Sequence, residues 1–446
     1  MNVAVTKTRA EQALLQGFEQ VAGVLPGAVW VRAAREKALG AVEALGLPHR
    51  RVEEWKYTDL RAALKEAFPP AVASAGKVAE PPSPEALAAA IGPELATMAA
   101  IRVMIRNGRF AGIDGAARLP AGVVLAPLAE ALSGRTDEAL ESAFAVEVDA
   151  ARQPVIALNT AYATDGVRLA VSPGVEITEP VHVVFLADAS GPLAVTTRNV
   201  IDIGPGAKVT IVESHAGAAG VALQANTVTQ INVGDGARVA HLKVIAEGER
   251  ALHLGSSLVK LGADATYRAF ELTAGVGLAR NETMLSYLGE NTAADVSGMA
   301  LGRGSAHIDT TLTIDHVAPA CESRELFKYV LDGEARGIFQ GKVIVRPDAQ
   351  KSDGKQMAQA LMLSEAVEFD SKPELEIYAD DVVCGHGSTV AEIEPDLVFY
   401  CRSRGIPLEE ARALLIDSFI GEALEKVEDE TLREAFAAVA RRWLEA

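Results

Sequence analysis

Glycine-led stretches of alternating apolar and polar residues begin at Gly174, Gly206, Gly236, Gly262 and Gly289, spaced 32, 30, 26 and 27 residues apart. They read GVEITEPVHVVF, GAKVTIVESH, GARVAHLKVI, GADATYRAFEL and GENTAADVSGMAL. A near-constant period of this length marks a repeat fold, in which one unit cannot bury its apolar face until neighbours stack on it. Alternation at period two makes each unit a strand unit. Gly204-Pro205-Gly206 and Gly234-Asp235-Gly236 supply the turns. Stacked strand units predict a parallel β-helix, with inward residues such as Val209, Ile211, Val239 and Val244 in continuous columns. An antiparallel sandwich also has short strands between turns, but nothing obliges it to keep a fixed period.

The chain changes character on either side of this region. Residues 1–95 predict an N-terminal helical domain with a linker. Leu14, Phe18 and Val21 recur at i, i+4, i+7, and Ala34, Ala38, Val42 and Leu45 continue that period in a second helix. Gly46 and Pro48 are its stop signals. RRVEEWKYTDL, Arg50 to Leu60, is dense in charge and aromatics; Trp55 and Tyr57 read as packing anchors or as part of an amphipathic docking surface. Residues 71–84, rich in Pro, Ala and Ser, read as the linker. Residues 96–394 form the predicted β-helix core, and 395–446 a C-terminal helical domain. There Pro407 fits the first turn of a helix carrying Leu408, Ala411, Leu415, Phe419 and Leu424. A second helix carries Leu432, Phe436, Val439 and Trp443. Such apolar stripes must pack on the core or on a partner.

Charge excludes whole classes of partner. The chain has 42 Lys+Arg against 60 Asp+Glu, a net charge of −18. A surface of that sign repels phosphate backbones and anionic membranes, so neither nucleic acid nor membrane is an expected partner. No apolar run approaches the roughly 20 residues of a membrane-spanning helix. The N-terminal MNVAVTKTRAEQALLQGFEQ lacks an apolar signal core, which predicts a cytoplasmic protein. Three cysteines, Cys321, Cys384 and Cys401, cannot build a disulfide framework, nor an all-cysteine iron–sulfur or four-cysteine zinc site by themselves.

Motifs for catalysis are scarce. Gly337-Ile-Phe-Gln-Gly341-Lys342 looks like a phosphate loop, but its glycines are too close, and Val343 stands where a metal-binding Ser or Thr belongs. Gly275-Val-Gly277 lacks the third glycine of a dinucleotide site. His182, His215, His241, His253 and His307 lie singly along strands and read as core or solvated residues. His316 reads as a turn residue, and Cys321 and Cys401 as structural. The exception is Asp380-Asp381-Val-Val-Cys384-Gly385-His386-Gly387-Ser388. In an extended segment Cys384 and His386 share one face. Thiolate and imidazole are soft and borderline ligands suited to iron or zinc, and a cationic imidazole would lower the thiol pKa. Gly385 and Gly387 would let a backbone or a cluster approach. Two ligands do not complete a site, so the rest would come from a partner chain. The same residues also suit a small buried hydrophobe beside a satisfied turn histidine.

Several motifs add a family resemblance. Arg51-Val-Glu-Glu54-Trp55-Lys56-Tyr57-Thr58-Asp59-Leu60 resembles the N-terminal signature of the SufD branch of the SufB/SufD family. Gly337 to Lys342, Asp353 to Gln356 and Asp380 to Thr389 resemble that family's core, and Arg404-Gly405-Ile406-Pro407…Ala411-Arg412 its C-terminal stretch. The resemblance implies a mainly β fold, a right-handed parallel β-helix between N-terminal and C-terminal helical domains. It implies a non-enzymatic scaffold for iron–sulfur cluster assembly in the SUF system, pairing with a SufB-like subunit and binding a SufC-like ATPase. Cys384 and His386 would then lie at the SufB interface as shared ligands of a nascent iron–sulfur cluster, with no cofactor bound by this chain alone. Leu415, Phe419 and Ile420 are the expected ATPase-docking residues. Pairing of the isolated chain with itself stays open.

Two other classes stay open as well. A β-helix enzyme acting on a polysaccharide or acyl-CoA would need a groove of Asp, Arg or Lys, or strict hexapeptide repeats, and neither is legible. A purely structural interaction module would leave Cys384 and His386 dispensable.

Overall fold

The computed structural model describes residues 7–72, 79–134, 138–144 and 153–445. Most of the chain winds into a two-sheet parallel solenoid. One sheet has ten strands and the other nine, and from Val167–Val171 onward successive strands alternate between them. From Val167–Val171 onward, each strand but the last two pairs in parallel with the strand two ahead in sequence. Lys208–Gly217 thus pairs with Arg238–Ala246, then Thr266–Ala274, Ala293–Gly302, Glu322–Leu331, Asp353–Met362 and Val383–Glu392. Val209, Val239, Tyr267, Ala294, Ser323, Gly354 and Cys384 therefore sit in one register line. The repeat in the sequence is one coil of this solenoid.

Val209, Ile211 and Val239 are buried in the interior between the sheets. Val244 is not. It stands five residues from Val239, and an odd separation on a strand puts side chains on opposite faces. It joins Val212, Leu242, Phe270 and Leu272 on the outer face, beneath helices.

The first strands form an antiparallel cap. Ile101–Arg106 pairs antiparallel with Arg109–Asp114 and parallel with Val181–Ala187, and Val123–Pro127 pairs antiparallel with Val167–Val171. The expected core is interrupted there by helices Leu128–Ser133, Glu138–Phe144 and Pro154–Tyr162. The last of these is buried at all nine positions, so it carries no amphipathic period to read.

Helices clothe both outer faces. Arg9–Val21, capped by a reciprocal Thr8–Glu11 pair, and Val29–Leu45, closed by Gly46 at φ +74°, form the N-terminal unit. The expected linker is only partly visible: 73–78 lie outside the described residues, while the Ala71 amide donates to Ala194 O at 2.7 Å and ties that segment to the solenoid. RRVEEWKYTDL docks on the nine-stranded sheet. Trp55 is buried with the Arg280 guanidinium 4.1 Å above its ring, and Arg280 bonds Asp309 at 2.6 Å and Glu54 O at 2.8 Å. The Thr58 hydroxyl donates to the same Asp309. This segment is a packing anchor. On the ten-stranded sheet lie Pro84–Ile91, Leu408–Leu424 and Glu430–Glu445, the last through Leu432, Phe436, Val439 and Trp443. No helix among the described residues is long and apolar enough to cross a membrane.

Candidate functional site

The solenoid ends without a cap. Glu368–Ile377 and Val383–Glu392 are the outermost strands of the two sheets and have a neighbour on one side only. Pro395–Ser403 follows them and buries none of its residues. The last coil therefore exposes backbone donors and acceptors together with Ile377, Tyr378, Val383 and Val390. Such an edge is a template for pairing with another chain.

Cys384 and His386 lie on this terminal strand, in register with Gly354 and Gln356. Both continue the inward-facing lines of the coils behind them. With no coil beyond, His386 is exposed, while Cys384 is half-buried and packed against the interior. The space behind the sulfur comes from Gly354, where an added Cβ would stand 3.6 Å from Cys384 Sγ. Gly385 has the open space expected of it, with nothing within 4 Å of an added Cβ, whereas Gly387 does not. They project from the opposite face, and a Cβ at Gly387 would meet Met357 Cε at 2.7 Å, so that glycine serves packing. The thiol also departs from expectation: burial pushes its pKa up, and the Asp353 and Glu325 carboxylates add to the rise. In the isolated chain Cys384 is a protonated thiol at neutral pH.

Two interior residues stand behind His386. Its register line runs back through Gln356 to Glu325. The Gln356 amide fits over Gly341, where a Cβ would lie 2.1 Å from its Nε2. The glycine of the failed phosphate loop is needed there. Glu325 is buried, and burial pushes its pKa up to about 8. Counting back from His386 by one and two coil lengths reaches both residues, a signal the repeat carries and the local motif does not.

The other sequence candidates scatter. Ile420 is fully buried and Phe419 packs beside it against the ten-stranded sheet, with Lys328 Nζ 4.3 Å from the Phe419 ring centroid. The stripe expected to need an outside partner is thus largely satisfied within the chain, and Leu415 is half-buried. What these helices expose instead is Leu397, Phe399, Tyr400, Leu408 and Leu414. Cys321 is buried, with Sγ 3.3 Å from Gly289 O. His316 is no turn residue: it ends strand His307–His316, stacks on Tyr287 at 4.4 Å and lies 3.2 Å from Ser323 Oγ. His182 and His241 are core residues with partners. Cys384 and His386 belong to no group of three potential metal donors among the described residues.

Residues 185–419 match the family described as SUF system FeS cluster assembly, SufBD core domain, and residues 9–183 match the SufBD protein N-terminal region. An iron–sulfur cluster assembly SufBD family protein of Synechocystis is 30% identical over 404 residues, covering 88% of this chain and 87% of its own. The iron–sulfur cluster assembly protein SufD of Escherichia coli is 28% identical, covering 88% of each chain. SufD of Bacillus subtilis is 28% identical over 67% of this chain and 68% of its own.

Proposed function

The chain belongs to the SufBD family of iron–sulfur cluster assembly proteins, and from that premise we propose that it is a SufD-type scaffold subunit rather than an enzyme. In this reading its open solenoid end pairs with a SufB-like solenoid, and a nascent cluster is assembled as cargo at that junction. The observation that carries the reading is the terminal coil. Cys384 and His386 sit on one of the two edge strands that end the solenoid, half-buried and exposed respectively, beside the exposed apolar side chains Val383 and Val390. Their chemistry divides the labour. Cys384 must lose a proton before it can ligate iron, and its raised pKa makes that loss unfavourable until iron or a partner arrives. The exposed imidazole of His386 carries no such thiol proton and is the first ligand offered.

We further assign docking of a SufC-like ATPase to the exposed apolar residues of the C-terminal helices, above all Phe399, Tyr400 and Leu414. Removing the helices would strip the outer face of the ten-stranded sheet, so point substitutions are the better probe. Phe399→Ala with Leu414→Ala should abolish co-elution of the ATPase while SufB pairing persists.

The central test is His386→Ala in the co-expressed complex, with iron and sulfide content measured alongside gel filtration. The expected result is an assembled complex with strongly reduced cluster content. An assembled complex with wild-type cluster content would overturn the proposal, whereas dissociation would point to a structural role for this histidine.

A further inference from the structure

A second group of iron-binding chemistry lies inside the solenoid, far from the open end in register. His215 comes from strand Lys208–Gly217 of the ten-stranded sheet, His253 from strand Gly248–Leu261 of the facing sheet, and Glu247 from the corner between strands Arg238–Ala246 and Gly248–Leu261. All three are buried, and one ligand atom from each lies within 4.8 Å of those of the other two. The ring centroids of His215 and His253 are 5.0 Å apart.

The surrounding bonds leave donors over. His253 Nδ1 donates to Glu247 Oε2 at 2.9 Å, and His253 Nε2 has no partner although the residue is fully buried. Asn281 Oδ1 is likewise buried and unpartnered. Both atoms flank Gly255, where a Cβ would stand 3.0 Å from the nitrogen and 2.6 Å from the oxygen. Buried polar atoms left unpaired are costly. Moving the His253 proton from Nδ1 to Nε2 would turn an N–H toward the Asn281 side and free Nδ1 as a ligand beside Glu247. On the other flank the Glu213 carboxylate lies 3.2 Å from His215 Nε2 and 3.0 Å from His241 Nε2, and so orients both rings. This is the outer-shell carboxylate–histidine arrangement of metal sites.

The space inside agrees. His215 and Glu247 both line an interior cavity of about 10 Å³, the scale of a single water or ion. His215 also lines a cavity of about 320 Å³ bordered by Ile91 and Trp443.

We propose that His215, Glu247 and His253 form a binding site for one divalent transition-metal ion, of the iron or zinc class, within the solenoid. Two imidazoles and a carboxylate are a donor set such ions take. The site is separate from the terminal coil and stands whether or not Cys384 and His386 serve cluster assembly.

The test is a Co²⁺ titration of the full-length purified chain after chelator treatment, followed by visible absorption and bound metal per chain. The expected result is one Co²⁺ with nitrogen and oxygen ligation and no thiolate charge-transfer band. It should be unchanged in Cys384→Ser with His386→Ala. It should weaken by more than about 100-fold in His253→Gln or Glu247→Gln, beyond the roughly 10–100-fold cost of outer-shell changes. Absence of stoichiometric binding in the folded wild type, a thiolate band, or loss of binding in the Cys384/His386 variant would each overturn the proposal. Should the interior variants fail to fold, these wild-type and terminal-coil measurements decide it.

Discussion

Glu325 shows how one buried side chain sets a pH dependence. Its carboxyl faces the solenoid interior one coil behind Gln356 and two behind His386. Burial raises its pKa to about 8 from an ordinary 4.5, with Asp295 adding to the rise and Arg324 opposing it. Between these values the unfolded chain has released a proton that the folded chain still holds. The stability contribution of Glu325 is thus fully present below about pH 4.5 and is lost as pH rises to about 8. Glu213 acts in the opposite sense. Its pKa is held well below the ordinary value by His215 and His241 against its own burial, so its contribution is lost only as pH falls below the usual carboxylate range. Glu325→Gln keeps the volume and removes the titration. Thermal unfolding across pH 5 to 9 should show the variant gaining on the wild type as pH rises, by on the order of a few kcal/mol at the alkaline end. A wild-type-to-variant difference independent of pH would refute this assignment.

At the scale of elements, one contact between the N-terminal unit and the solenoid is an aromatic lid over a buried ion pair of the solenoid. Arg280 and Asp309 sit on adjacent strands of the nine-stranded sheet, with almost no exposure at either side chain. Trp55 and Thr58 close over them. Removing one partner strands the other as a buried charge, at about 3–5 kcal/mol, while replacing both with apolar groups is often close to neutral. Arg280→Ala should lower the urea midpoint accordingly, and Arg280→Met with Asp309→Leu should recover most of the loss. A double variant as unstable as the single would mean that the pair is not the anchor. This junction also marks how far local sequence reaches. The terminal helices were legible because each buries one face, as Phe18 and Val42 do. The coil was legible because its length repeats. Pro154–Tyr162 was not, since burial on every side erases the period. The destination of an apolar stripe was not legible either. Leu415, Phe419 and Ile420 look the same on paper whether a sheet or a second protein covers them, and here the sheet takes Phe419 and Ile420. Cys384 and His386 were found because two residues apart on a strand share a face, whereas His215 and His253 meet only because two sheets face each other.

At the scale of the molecule, the two ends of the solenoid are unlike. The N-terminal end is closed by antiparallel pairing, with Arg109–Asp114 and Val123–Pro127 at the edges. The other end stops on two parallel strands, each paired on one side only, with Tyr378 59%, Val383 62% and Val390 52% exposed. A solenoid needs a polar or capped terminus to stay monomeric, and this one carries apolar side chains and the candidate ligands together. An end-to-end junction with a second solenoid would satisfy the open backbone and cover those side chains. Charge placed there should act on association alone. Val383→Lys with Val390→Lys adds two cations to exposed positions, where substitutions usually change stability by less than about 0.5 kcal/mol. The melting temperature of the isolated chain should therefore be unchanged. Sedimentation velocity of the variant mixed with a SufB-like subunit should show separate species where the wild type forms one heavier complex. Pairing that survives both lysines would move the interface away from the terminal coil, and with it the reason for placing a cluster beside His386.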